Sequence, residues 1–294
     1  LSLTFVRQLP QRGSPWQNRK LYRTAKASHF EERLPPLRGK MSPQVAKGGV
    51  WHRVSDDGEG EPPKGLSMLV TITRSPSKIS GTITAPPSKS MAHRAVLCAA
   101  LAEGRSHITN LEFSKDISAT LGAAAQLCAR VRTGADDAVV EGLGHFVPLA
   151  APVDCCESGS TLRFLIPIAS LTGQAVSFTG RGRLMERPQS VYDALYREQG
   201  LRFEQSASGL TVEGALTPGE YRLAGNVSSQ FISGLLFALP LLSGNSTLHL
   251  IPPVESRSYI DMTRSVQAAF GVQSHWLDEN TLAIPGGQHY HPCD

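Results

Sequence analysis

Turn glycines recur along this chain at intervals of about 70 residues, in two interleaved series: Gly104, Gly173 and Gly244, then Gly142, Gly214 and Gly286. Each glycine of the second series closes a short strand-like run, AVVEG, LTVEG or LAIPG. Between the series the order of elements also repeats: a polar cap, an apolar helix, a glycine, a strand, a second helix, a glycine and a strand or hairpin. Such a period marks one supersecondary unit copied several times, with no copy able to bury its apolar face alone. The pattern predicts three copies of a βα unit in one body of class α/β (α+β), helices packed inward beneath short sheets.

The helix boundaries follow from caps and periodicity. The first helix of each copy starts at a Ser-rich segment: Ser88-Lys89-Ser90, Glu157-Ser158-Gly159-Ser160 and Ser228-Ser229-Gln230. Apolar residues then keep helical spacing, as in Met91, Ala95, Cys98 and Ala102. The second helices are read from Ile117, Leu121, Ala124, Cys128 and Val131 after Asp116, from Pro188 onward in copy two, and from Tyr259, Met262, Val266 and Ala269 in copy three.

Composition narrows the rest. No run of eighteen apolar residues is present, so no membrane partner is expected. Residues 1–67 hold 12 Lys+Arg against 6 Asp+Glu, while residues 68–294 hold 17 against 19, so the body offers no basic surface and no nucleic-acid partner is expected there. An RNA-binding role through the basic leader is the weakest alternative, because no aromatic residues interleave with a basic stripe. Residues 1–67 show neither a 3.6 nor a 2.0 hydrophobic period and carry Pro35-Pro36, Gly48-Gly49, the acidic run from Asp56 to Glu61 and Pro62-Pro63. They read as a disordered or non-native leader. At Met68 the text changes to LVTIT, an alternating strand. Five cysteines, Cys98, Cys128, Cys155, Cys156 and Cys293, are odd in number and lack metal-ligand spacing. No metal and no cofactor is expected, and the expected compartment is cytoplasmic; the Arg-rich, acid-free first 30 residues leave a plastid as the lesser alternative.

The three caps carry the chemical expectation. A small residue at a helix N-terminus leaves backbone N–H groups open and adds the positive end of the dipole, which makes an anion site. For one cap alone, ordinary capping explains the serine. Three equivalent caps with basic residues nearby point further. Lys89 lies in the first cap and Arg94 follows it; Arg163 interrupts the apolar run RFLIPIAS; Arg181, Arg183 and Arg187 alternate through RGRLMERP. Guanidinium forks suit phosphate and carboxylate, so the expected substrate bears two or more anionic groups.

The segments PSKSMAHRAVLCAALAEG, ESGSTLRFL, GRLMERP, NVSSQFISGLLFALPLL and VESRSYIDMT, in this order and at these intervals, resemble the 5-enolpyruvylshikimate-3-phosphate synthase family from about Met68 to the chain end. The related UDP-N-acetylglucosamine enolpyruvyl transferases are the alternative within the same fold. They carry Lys-Asn where this chain has Lys89-Ser90, and they lack Ser-Ser-Gln. A non-catalytic anion-binding lobe is the alternative outside enzymes.

The resemblance implies two lobes of three βαβαββ units, each an inside-out α/β barrel, with a ligand cleft between them. Residues 68–87 would hold the first strand of the second lobe and the crossover, and 88–294 the whole first lobe, the second being largely missing. The implied reaction moves the enolpyruvyl group of phosphoenolpyruvate to the 5-hydroxyl of shikimate 3-phosphate and releases phosphate. Implied for shikimate 3-phosphate are Lys89, Ser90, Arg94, Ser228, Ser229, Gln230, Ser256 and Tyr259; for phosphoenolpyruvate, Lys89, Gly159, Arg187 and Gln230; and Lys89 as the catalytic residue. The herbicide glyphosate would take the phosphoenolpyruvate position beside Gly159. Glu157-Ser158 in place of a common Asn-Ala, and Phe164 in place of a common Pro, are departures that bear on that inhibitor. The family's acid/base Asp and catalytic Glu would lie in the returning part of the second lobe, so the chain alone is expected to lack turnover, and the full-length enzyme is expected to be a monomer.

Overall fold

The computed structural model describes residues 85–294, and the expectations for 1–67 and for nearly all of 68–87 lie outside them. Pro86 to Asp294 cluster as one unit. The first repeat contributes α1 (Lys89–Leu101), β1 (Gly104–Ile108), α2 (Lys115–Leu127), β2 (Ala129–Thr133) and β3 (Ala138–Gly142). The second contributes β4 (Val153–Asp154), α3 (Gly159–Ser170), β5 (Val176–Thr179), α4 (Ser190–Glu198), β6 (Arg202–Ser206) and β7 (Gly209–Glu213). The third contributes β8 (Glu220–Ala224), α5 (Ser229–Ala238), β9 (Ser246–Ile251), α6 (Arg257–Ala269), β10 (His275–Trp276) and β11 (Thr281–Ile284).

Each repeat has its own sheet. The orders are β1-β3-β2, β4-β5-β7-β6 and β8-β9-β11-β10. In the second and third sheets a parallel pair (β4 with β5, β8 with β9) is followed by two antiparallel pairings, and the first sheet shows the same antiparallel part. The repeat is therefore a βαβαββ unit, seen complete twice among the described residues.

The two glycine series meet in space. A Cβ at Gly142 would collide with the carbonyl oxygen of Ala102, and one at Gly286 with that of Gly244, so the closing strand of these copies runs against the turn that leaves the first helix. No side chain fits there, which explains the recurrence. In copy two the same approach is relaxed, and a Cβ at Gly214 meets only the end of Leu201.

The first helices form the centre. α1, α3 and α5 are buried along nearly their whole length after the first turn, as expected for helices apolar all round. α3 packs on α5, and α1 packs on α2 and α6. Phe164 and Phe237 meet edge to face with ring centres 5.4 Å apart, joining α3 to α5. The second helices are amphipathic and lie outside this trio.

Two boundaries differ from the sequence reading. The periodicity through Cys128 and Val131 predicts a longer second helix, but α2 stops at Leu127 and Val131 lies in β2. Residues 129–133 pair with β3, and the N–H of Leu143, just after β3, donates to the Cys128 carbonyl, so strand pairing outcompetes one more helical turn. α4 begins at Ser190 rather than Pro188, with Gln189 as its N-cap.

Candidate active site

The N-caps of the central helices are Ser88, Ser158 and Ser228, each accepting a backbone N–H of its own first turn. Hydrogen bonds among residues early in the helices show that all six N-termini lie toward one end. His93 Nδ1 on α1 meets Thr120 Oγ1 on α2 at 2.7 Å, Thr120 meets Thr161 Oγ1 on α3 at 2.7 Å, and Thr161 donates to Ser158 Oγ at 2.7 Å. Arg163 on α3 donates to Gln230 Oε1 on α5 at 2.8 Å and to Gln189 at the start of α4 at 3.4 Å. Ser233 on α5 meets Thr263 Oγ1 on α6 at 2.7 Å, and both accept from Arg94 on α1. His93, Arg163 and Ser233 each stand five residues after their cap serine, so one register position of the repeat supplies a polar link in all three interfaces.

Arg94 is the hub. It is 3% exposed. Nε donates to Thr263 Oγ1 at 2.8 Å, NH1 to the Ser90 carbonyl at 2.7 Å, and NH2 to Ser233 Oγ at 3.2 Å and the Tyr259 carbonyl at 3.4 Å. The guanidinium also lies over Phe164, 5.2 Å from the ring centre. These bonds occupy four of its five N–H groups and leave one on NH1 for a ligand. No carboxylate is within ion-pair distance among the described residues, and burial lowers its pKa to about 10. A buried cation satisfied only by neutral acceptors keeps its charge uncompensated, and that favours a bound anion.

Arg163, half-buried, is the second cation held only by neutral partners. Its partners are Gln230, Gln189 and the face of Phe231, 4.6 Å from the ring centre, and burial lowers its pKa. Gln230 is fixed in turn, donating from Nε2 to Ser160 Oγ at 2.7 Å. Arg187 comes so close to Gly159 that a Cβ there would stand 2.9 Å from its NH1. The second cap thus pairs an open helix N-terminus with a guanidinium that a side chain at Gly159 would push aside.

Lys89 Nζ pairs with Asp116 Oδ2 at 2.9 Å in a half-exposed bridge, leaving two ammonium N–H groups uncommitted. Ser228 is exposed, and Ser229 is buried with its hydroxyl free of protein partners among the described residues. Ser256 precedes α6 in left-handed backbone at φ 57°, and its hydroxyl makes no capping bond. Tyr259 is 41% exposed. The structure therefore brings Lys89, Ser90, Arg94, Gly159, Arg187, Ser228, Ser229, Gln230, Ser256 and Tyr259 to the helix-N-terminal end. Direct bonds join Arg94 to Ser90 and Tyr259, and the Gln230 N–H to the Ser228 hydroxyl; Arg187 meets Gly159; Lys89, Ser229 and Ser256 touch none of the others through their side chains.

Sequence reasoning passed over the hydroxyls and amides that hold these groups: Thr120, Thr161, Gln189, Ser233 and Thr263. Their signal was a polar residue inside each helix at the register of the buried face. Among the described residues, no group of three or more His, Cys, Asp and Glu side chains is arranged to hold a metal. No described helix is long and apolar enough to cross a membrane.

Comparison with known proteins shows the family of the chain. The model of the family described as EPSP synthase (3-phosphoshikimate 1-carboxyvinyltransferase) matches residues 73–294. A 3-phosphoshikimate 1-carboxyvinyltransferase from Clostridium kluyveri is 42% identical over 225 residues, covering 76% of this chain and 53% of its own. Its counterpart from Clostridium beijerinckii is 43% identical over 228 residues, covering 74% and 52%. The solved EPSP synthase of Acinetobacter baumannii aligns with a TM-score of 0.64 at 24% identity over 72% of this chain and 48% of that one, a likeness of fold. This chain spans about half the length of the curated relatives it matches.

Proposed function

The chain belongs to the EPSP synthase family, and from that premise we propose that residues 88–294 form one lobe of a 3-phosphoshikimate 1-carboxyvinyltransferase, an inside-out α/β barrel whose helix N-termini face the substrate cleft. The reaction adds the 5-hydroxyl of shikimate 3-phosphate to C2 of phosphoenolpyruvate while C3 gains a proton, then expels phosphate. One observation carries the reading: six helix N-termini end beside Arg94 and Arg163, two cations that have no acidic partner among the described residues.

Each residue has a role that its surroundings support. Ser228, Ser229 and Ser256, with hydroxyls at the N-termini of α5 and α6, bind the phosphate of shikimate 3-phosphate. Arg94 holds the first turns of α1, α5 and α6 together and offers its last N–H, with Ser90, to the ring carboxylate and hydroxyls. Gln230 and Tyr259 border the ring. Lys89, Arg187 and the Gly159 N–H cradle the phosphate of phosphoenolpyruvate and stabilise it as it leaves. Addition and elimination also need an acid and a base. Asp116, Asp193 and Asp261, on the first turns of α2, α4 and α6, are each engaged by a Lys or Arg, whereas Glu157 and Glu255, just before α3 and α6, are exposed and carry no ion pair among the described residues; following the family resemblance, we place the proton-transfer groups outside the described residues.

Calorimetric titration of the chain with shikimate 3-phosphate tests the reading. Saturable binding is expected, weakened about tenfold to 100-fold in Ser229→Ala, as for loss of a charge-assisted hydrogen bond of about 1.5 to 3 kcal/mol. No binding by the parent chain, or unchanged affinity in the variant, overturns it.

A further inference from the structure

Arg257, Asp261 and Arg264 follow one another on α6 at steps of four and three, so they share one face of the helix. There they surround a single indole on the β10–β11 hairpin. The Arg257 guanidinium stacks on Trp276 at 3.9 Å from the ring centre, and that of Arg264 lies 5.9 Å away. The indole N–H donates to Asp261 Oδ1 at 2.8 Å, which also accepts from Arg264 at 3.0 Å. Arg257 reaches on to the Glu279 carbonyl at 2.7 Å, and Arg264 binds the Ser274 carbonyl at 2.6 Å. The hairpin thus grips α6 from its first turn onward.

The gripped turn begins at a strained residue. Ser256 holds φ 57° without a glycine's freedom, a strained conformation that persists where neighbours over-determine it. Its own side chain caps nothing, so the helix end gives no compensating bond. The inner side of the turn is fixed by Arg94 and Thr263 on the Tyr259 carbonyl. The outer side is fixed by Arg257 on Trp276, one residue from Ser256.

We propose that Trp276 is a positioning residue for the phosphate end of the cleft: by stacking under Arg257 it holds Ser256 in left-handed backbone and keeps the hydroxyl uncommitted at the α6 N-terminus. The inference rests on the functional reading above. Trp276 itself touches no substrate. It acts first on the phosphate group, through Ser256 beside Arg257; Tyr259, which borders the ring from the same helix, is held separately by Arg94 and Thr263 on its carbonyl.

The test compares shikimate 3-phosphate with shikimate, which lacks the phosphate, by calorimetric titration of the full chain and its variants. Trp276→Leu is expected to lose about tenfold in affinity for shikimate 3-phosphate, the scale of one partly desolvated cation–π contact, and less than twofold for shikimate. Trp276→Phe keeps a ring face under Arg257 and is expected to restore most of the loss. If Trp276→Leu does not fold, Arg257→Met cuts the same stack from the helix side and is expected to show the same phosphate-selective loss. Equal losses for both ligands, or none for shikimate 3-phosphate, overturn the inference while leaving the functional reading in place. A parent chain that binds neither ligand overturns that reading and this inference with it.

Discussion

Replacing Thr263 by Val keeps the volume of a fully buried side chain and removes one oxygen at the junction of three helices. That oxygen accepts from Arg94 Nε at 2.8 Å, pairs with Ser233 Oγ at 2.7 Å and donates to the Tyr259 carbonyl at 2.9 Å. In the variant an Arg94 N–H is left buried without an acceptor, and the Ser233 hydroxyl loses its shortest partner. A lost hydrogen bond to a charged group costs about 1.5 to 3 kcal/mol and a neutral one about 1 kcal/mol. The extra apolar methyl gives part of this back, so the expected destabilisation is about 3 kcal/mol. For a body of this size that lowers Tm by about 6 to 12 °C. Thr263→Ser retains the hydroxyl and should cost about 1 kcal/mol for one buried methyl. Urea unfolding of the three proteins measures the difference. A Thr263→Val loss below about 0.5 kcal/mol, or one no larger than that of Thr263→Ser, would refute the claim that this hydroxyl anchors Arg94.

His93 is 2% exposed and its pKa is lowered by burial to about 4, so the folded state resists a proton that the unfolded chain takes up from about pH 6.5 downward. Stability should therefore fall between pH 6.5 and 4 by about 3 kcal/mol from this group, and His93→Gln should flatten that slope by one proton in urea melts. Gly159→Ala should leave stability within about 1 kcal/mol, since Ala favours a helix. The new Cβ displaces Arg187, so phosphoenolpyruvate affinity, measured with shikimate 3-phosphate present, should drop about tenfold; an unchanged value would separate Arg187 from that ligand. With the proton-transfer groups proposed to lie outside the described residues, the chain alone should release no phosphate from the two substrates, and turnover of about 1 to 1000 per second would show that the catalytic groups are misplaced.

The repeat was legible because its cause is local. Glycines were required where a closing strand runs against a backbone carbonyl, as at Gly142 and Gly286, and cap serines where a helix enters the centre. Those constraints act on single residues, so they survive as a spaced pattern. The end of α2 was not legible from period alone. The pairing of residues 129–133 with β3 decides it, although Arg130-Val131-Arg132 already alternates like a strand. In the site, the charged residues stood out against apolar text, whereas Thr120, Thr161, Ser233 and Thr263 did not. A helical Thr or Ser announces nothing until the facing helix is known. Trp276 was invisible for the same reason, since its meaning depends on α6 presenting Arg257, Asp261 and Arg264 on one face.

The central claim is that the helix-N-terminal end binds a phosphate-bearing ligand. Backbone amide NMR of the labelled chain, titrated with shikimate 3-phosphate, tests it residue by residue. Shifts are predicted to concentrate at residues 88–94, 228–230 and 256–259, with the N–H groups of Ser229, Gln230 and Arg257 moving most. Shifts confined to the opposite end, around His145, His289 and His291, or no saturable shift at millimolar ligand, would contradict it.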